Sequence, residues 1–295
     1  MKFSLSTSFA KLALFTLFAV VLLTAGGRLV ALNAVGAECA TWPACLPNSL
    51  SGLEQMLHRL SAGFASFLML ALLFHGWRTQ RDHRLLLPLT TVTVTLFFAQ
   101  ALLGALLVTR NFPINLQIMH SLTALAVWIS LVGLAVLAGF YAKDAVTFPP
   151  LDVRQRLKDF LTLTKPIIVL LLLVTTFAGM VAGAKAWPSS ALIFWTLLGG
   201  ALAAGGSGAI NQYIDRDLDK NMQRTAKRPL AAGRMTPAEG LAFGLATSIA
   251  SFYIMAGFVN LLAAFLSLAG IIYYVVLYSM LLKKATVQNI VIGGG

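Results

Sequence analysis

Asn211-Gln212-Tyr213-Ile214-Asp215-Arg216-Asp217-Leu218-Asp219 follows directly on a long apolar segment. Residues four apart on a helix share a face and drift by roughly 40° per step, so Asn211, Asp215 and Asp219 form one stripe. Of the ten acidic residues in the chain, Asp215, Asp217 and Asp219 all sit in this stretch. Carboxylates in or beside a membrane helix are costly unless something pairs with them, so the stripe marks a functional site. An amide oxygen with two carboxylates suits Mg²⁺, a hard cation that takes oxygen ligands and often shares them with a substrate phosphate. Arg224, Lys227 and Arg228 follow, and their charges suit the same phosphate. The alternative is a solvated loop of mixed charge; regular helical spacing straight after an apolar span argues against it.

The chain is 58% hydrophobic and only 11% charged, which excludes a soluble globular domain. It reads as an all-α polytopic membrane protein, because helices satisfy their own backbone in hydrocarbon. Apolar runs long enough to span a bilayer fall near 10–32, 59–76, 86–108 and 116–140. A second set falls near 166–184, 190–210, 239–258 and 261–282, with a further apolar stub opening at about 287. The net charge of +12 is a topology signal and does not point to nucleic acid. With the N-terminus in the cytoplasm, every Lys and Arg except Arg28, Arg59, Arg110 and Lys185 lies on the inner side, as the positive-inside rule requires. The expected location is the inner (plasma) membrane, with the Cys39–Cys45 loop outside. Met1-Lys2 and the apolar run after it also resemble a signal peptide, but the run is long for one and no clean small-x-small site follows. We read it as an uncleaved first helix.

The polar connection from Tyr141 to Lys165 carries Pro149-Pro150 and divides the chain. Residues 1–145 form a four-helix bundle, 146–165 an amphipathic linker on the cytoplasmic surface, and 166–295 a second module. The first module holds all four His and both Cys, the second the carboxylate stripe. No internal repeat relates them.

From Asn211 the chain continues through Met222-Gln223-Arg224-Thr225 to Arg228-Pro229-Leu230. With Thr164-Lys165-Pro166 and the run from Tyr278 to Gly294, this closely resembles the UbiA-type intramembrane prenyltransferases, and within them the protohaem IX farnesyltransferase (haem O synthase) family. The resemblance covers about 155–295. It implies Mg²⁺ on Asn211, Asp215 and Asp219, and the diphosphate of farnesyl diphosphate held by Arg224, Lys227 and Arg228; Lys165 reads equally as a further phosphate contact and as an anchor at the cytoplasmic end of its span. It also implies a vinyl group of protohaem IX as acceptor. Asp217 lies off the shared face and is a weaker candidate. The family carries a second aspartate motif after a later helix, which does not occur before Gly295. The expectation is therefore half a metal site, and no transferase activity from this polypeptide alone.

The first module carries Cys39-Ala40-Thr41-Trp42-Pro43-Ala44-Cys45, whose extracytoplasmic position favours a disulfide over two free thiols. His58 and His120 open the second and fourth spans, which run in the same direction, so their rings sit at matching depth and suit the axial positions of one haem. A lone membrane His more often bonds a neighbouring helix; two at one depth favour the ligand reading. His75 and His83 read as ordinary interfacial residues. These features, with His58-Arg59 and Gln100-x-x-x-Gly104, resemble the haem A synthase family over about 8–140. That family places a Glu three residues before its first His. Here Gln55 stands in that place and Glu54 one position earlier. The family's second four-helix half, with its second His pair, is missing.

The sequence thus points first to a haem O synthase domain behind a haem-binding bundle. Haem A synthase or terminal oxidase assembly proteins are the expected partners. Alternatives are a haem A synthase-type oxidoreductase, a non-enzymatic haem carrier for oxidase assembly, and a prenyltransferase acting on a quinone or chlorin precursor.

Overall fold

Backbone amides have no water to bond in hydrocarbon, and the apolar runs of this chain meet that constraint as helices. The computed structural model describes residues 3–32, 43, 49–143 and 152–294; Cys39 and Cys45, and with them the disulfide expectation, lie outside the described residues. Among the described residues there are 8 helices long and apolar enough to cross a membrane. The expected all-α multi-pass architecture is the one adopted. The chain divides into two compact units, Met1–Phe148 and Pro149–Gly295.

The first unit comprises α1 (Ser8–Leu32), α2 (Leu50–Thr79), α3 (Leu86–Thr109) and α4 (Ile114–Tyr141). α2 packs between α1 and α3, and α4 closes the ring against α3 and α1, so α2 and α4 stand on a diagonal. Short connections make α3 antiparallel to both, and α2 and α4 therefore run in one direction. An apolar core fills one half of the bundle, from Phe9, Ala13 and Val20 to Ala65, Met69 and Leu72, and across to Phe97, Val127 and Leu131. Hydroxyls inside the spans are satisfied locally: Thr16, Thr90, Thr91, Thr93 and Thr123 each donate to the carbonyl four residues back. α2 begins well before the apolar run at residue 59. Ser49 Oγ caps it, accepting from Gly52 N at 3.0 Å, so the polar residues Glu54, Gln55 and His58 are helical too.

The second unit runs α5 (Val153–Leu163), α6 (Pro166–Ala184), α7 (Ser190–Asp219), α8 (Pro237–Phe258) and α9 (Leu261–Ile272). α9 continues as a π-helical segment, Tyr273–Leu282, followed by the short α10 (Lys283–Ala285) and α11 (Asn289–Gly294). α5 is more than a surface linker. Leu163 is fully buried and packs with Ala209, Leu230 and Met235. Gln212 Nε2 on α7 donates to the carbonyls of Thr162 and Leu163 at 3.0 and 3.1 Å, closing the end of α5. Arg156 pairs with the buried Glu239, and Arg234 with the buried Asp159 at 3.0 Å, fastening α5 to the start of α8. Amphipathicity alone suits a membrane surface equally well; these buried partners are what draw α5 into the unit.

α7 and α8 meet through small residues, the usual means by which membrane helices approach closely. A Cβ at Gly244 would lie 2.6 Å from Ile210 Cγ1 and 3.1 Å from Gly206 O. The backbone of α7 itself, Ile210 N at 3.0 Å and Gly206 O, stands behind that side chain and cannot swing aside. Gly244→Leu is therefore expected to cost about 1–3 kcal/mol or more by overpacking, seen as a lower unfolding temperature in detergent. Gly179→Leu, where a Cβ meets nothing within 4 Å, should stay near wild type.

Candidate functional site

α7 extends well past its apolar run and ends at Asp219, so the polar stripe is helical as its spacing predicts. Asn211, Asp215 and Asp219 are all buried. Asn211 Nδ2 donates to Asp215 Oδ2 at 2.9 Å and to Ser279 Oγ at 3.0 Å. Lys283 Nζ also pairs with Asp215 Oδ2. Arg228 Nη1 reaches both oxygens of Asp219, at 3.0 and 2.7 Å. Thr225 Oγ1 donates to Asp219 O at 3.1 Å and turns the chain so that Arg228 faces back to the helix end. Asp217 points away, 67% exposed in its side chain and paired with Lys220.

Lys165 enters from the junction of α5 and α6. A residue before proline is discouraged from the right-handed helical region, and Lys165 adopts φ 55°, ψ 62° instead. That turn directs its ammonium to Asn211 Oδ1 and, at 3.1 Å, to the Tyr274 hydroxyl. Gly205 and Gly208 admit the turn, since a Cβ on Gly208 would meet the carbonyls of Leu163 and Thr164 at 3.4 Å. Burial pushes the Lys165 ammonium down to about 8, with the Arg228 charge next in importance.

Periodicity conceals the remaining members. At about 100° per residue, an α-helix would set Tyr274 and Lys283 on opposite sides. The π-helical turn, about 4.4 residues wide, brings Tyr274, Ser279 and Lys283 nearly into line. Ser279 Oγ also donates to Tyr274 O at 2.8 Å, five residues back. The only signal in the sequence is Lys283-Lys284 closing an apolar span, which reads equally well as an interfacial anchor. Arg224 and Lys227 stay exposed and make no contact with the stripe among the described residues.

No three His, Cys, Asp or Glu side chains converge into a metal-holding group among the described residues. The stripe still fits a hard cation by its donors: one amide oxygen, two carboxylates, and in Asp215 Oδ1 a buried oxygen with no hydrogen-bond partner.

In the first unit, His58 and His120 lie about 12 and about 9 Å along α2 and α4 from their starts, taking 1.5 Å per residue. His58 is thus inside its helix, deeper than the apolar pattern indicates. Both rings occupy the half of the bundle beyond the apolar core, and each rests against a glycine of an adjacent helix. A Cβ at Gly27 would lie 2.8 Å from His58 Cε1, and one at Gly104 3.3 Å from His120 Cε1. His120 Nε2 lies 3.0 Å from Gln100 Nε2, while Nδ1 of both rings is buried without a partner. Gln55 is buried one turn before His58, and Glu54 is half-buried. His75 and His83 have structural partners: His75 Nε2 lies 3.1 Å from Ser8 Oγ, and His83 Nδ1 accepts from the amides of Leu85 and Leu86.

Comparison with known proteins divides along the same line. The UbiA prenyltransferase family model matches residues 172–295, and that of the COX15-CtaA cytochrome oxidase assembly proteins matches residues 1–132. A protoheme IX farnesyltransferase of Roseiflexus sp. (strain RS-1) is 37% identical over 278 residues, 87% of this chain and 52% of that protein. The enzyme of the same name from Paenarthrobacter aurescens (strain TC1) is 48% identical over 144 residues, 49% of this chain and 45% of that protein. That of a Thermus thermophilus strain is 40% identical over 68% of this chain and 34% of its own length. The chain spans about half the length of the first relatives it matches. No solved structure matches it.

An anion bound against these cations favours charged Lys165. Between about 8 and the ordinary lysine value the free protein holds this amine mostly neutral, so anion binding there takes up a proton. Titrating inorganic pyrophosphate in buffers of different ionisation enthalpy should show wild type taking up more protons, net of the anion's own ionisation, than Lys165→Arg at pH 9, with the two proteins alike at pH 6.5.

Proposed function

From a chain that carries a UbiA prenyltransferase segment behind a cytochrome oxidase assembly segment, we propose a haem O synthase, transferring the farnesyl group of farnesyl diphosphate to a vinyl group of protohaem IX. The observation that carries this reading is the buried stripe of Asn211, Asp215 and Asp219 faced by Lys165, Arg228 and Lys283. Breaking an allylic C–O bond leaves growing negative charge on the departing diphosphate. Cations fixed at that spot in a dry pocket stabilise it as it develops. Lys165, Arg228 and Lys283 supply that charge here, and Tyr274 orients Lys165. Mg²⁺, when held by Asn211, Asp215 and Asp219, would add Lewis-acid charge on the same oxygens. Apolar faces of the second unit's helices accommodate the prenyl chain. Arg224 and Lys227, on the loop after α7, fit a first encounter with the anion better than its final seat. The charge pattern supports a cytoplasmic side for this loop and for the N-terminus, in the inner (plasma) membrane, where soluble diphosphates arrive.

The first unit supports a second, compatible reading: a haem held between His58 and His120 on the diagonal helices α2 and α4. Matching depth, a shared direction and a buried unpartnered ring nitrogen on each side favour it. Such a unit would carry or present haem in oxidase assembly.

Both readings have direct tests. A non-reactive thio analogue of farnesyl diphosphate, with Mg²⁺, should bind the purified chain. Asp215→Asn and Arg228→Gln should each weaken it by about tenfold or more, the value of one charge-assisted contact, with Asp217→Asn close to wild type. Failure of the wild-type chain to bind the analogue refutes the transferase reading. Haem titrated into the chain should give a low-spin bis-imidazole spectrum that His58→Ala and His120→Ala each abolish; a spectrum indifferent to both rejects the ligand pair.

A further inference from the structure

Every charged oxygen of the α7 stripe but one already has a cation or amide against it. Asp215 Oδ2 carries Lys283 and Asn211, both oxygens of Asp219 carry Arg228, and the Asn211 amide oxygen carries Lys165. The side chains of Asp215 and Asp219 are only 1% and 5% exposed. Their two negative charges stand opposite the three positive charges of Lys165, Arg228 and Lys283. A divalent cation approaching this cluster meets net positive charge and finds a single oxygen without a hydrogen-bond partner, Asp215 Oδ1. Mg²⁺ and ions of its kind require several oxygens in near-octahedral array, so one does not suffice.

A diphosphate meets the opposite situation. Lys165, Arg228 and Lys283 present donors toward the centre, and a multiply charged anion competes with single carboxylates for them. Lysine suits such an exchange, being a compact charge on a flexible stem with three rotatable donors. Lys283 can leave Asp215 for a phosphate oxygen without backbone movement. The π-helical turn of Tyr273–Leu282 places it to do so, by carrying Lys283 to the side that faces α7.

We propose that Lys283 is a tethered counter-cation that closes Asp215 to divalent metal until a diphosphate draws it away. Metal and anion then bind with positive coupling, and metal alone binds poorly. The inference rests on the diphosphate reading of the site and adds an order of events to it. By linkage, whatever factor the anion adds to metal affinity, the metal adds to anion affinity.

Mn²⁺ binding to the purified full chain, followed by electron paramagnetic resonance with and without inorganic pyrophosphate, tests this. Mn²⁺–pyrophosphate association in buffer is measured separately and subtracted. Wild type should bind Mn²⁺ at least about tenfold more tightly with pyrophosphate than without, a coupling of about 1.4 kcal/mol. Lys283→Gln should bind Mn²⁺ without the anion at least about tenfold more tightly than wild type, so its coupling shrinks. Lys283→Arg should keep the wild-type block. Equal Mn²⁺ affinity with and without pyrophosphate in wild type overturns the proposal and leaves the diphosphate site standing. The proposal fails in the same way if Lys283→Gln, with Lys283→Arg folded and blocked as control, binds Mn²⁺ no better than wild type. Absence of Mn²⁺ binding in every protein, even with pyrophosphate, removes the diphosphate reading and the inference together.

Discussion

Charge buried at a membrane helix must be neutralised by groups within reach, and the second unit is built around that requirement at Asp215. The carboxylate sits fully inside the protein, bonded by Lys283 and by Asn211 one turn earlier. Satisfying it constrains three elements together. α7 must stay helical beyond its apolar run, the segment after α9 must widen into a π-helix, and Lys165 must turn inward between α5 and α6. Removing one partner from such a group leaves an uncompensated buried charge, among the costliest single changes a fold can suffer.

The first unit shows the same economy with neutral groups. Threonine hydroxyls are absorbed by their own helices, and the aliphatic core occupies one half of the bundle. The remaining half holds two imidazoles with glycines against them. A packed bundle would gain by filling such positions with Leu or Val. Polar rings with a buried unpartnered nitrogen are tolerated where a ligand completes them. The Gln100 contact to His120 satisfies one ring nitrogen and leaves the buried Nδ1 without a partner.

Packing of α5 illustrates how local pattern and tertiary context separate. Its alternation of charged and apolar residues is legible in the sequence and suits a membrane surface. Its seat is set by Arg156 with Glu239, Arg234 with Asp159, and Gln212 reaching the carbonyls of Thr162 and Leu163. Each pair joins residues 49 to 83 positions apart, a separation that no local periodicity reports. The consequence reaches the stripe, because α5 fixes the turn that aims Lys165 at Asn211.

What the sequence determined by itself is the membrane-spanning helical class, the division into a His-bearing bundle and a carboxylate-bearing one, and the stripe of Asn211, Asp215 and Asp219. These follow from composition and from a period of 3.6, both properties of short stretches. Hydropathy misplaced the start of α2 because a polar first turn held by a Ser49 cap carries no apolar signal. Only the tertiary structure decided which cations meet the stripe. Arg228 and Lys165 reach it, Arg224 and Lys227 do not, and Lys283 joins from a segment whose helical period is not 3.6. The physical reason is that charge pairing depends on distance through space, and distance is set by turns and widened helices that sequence spacing does not encode.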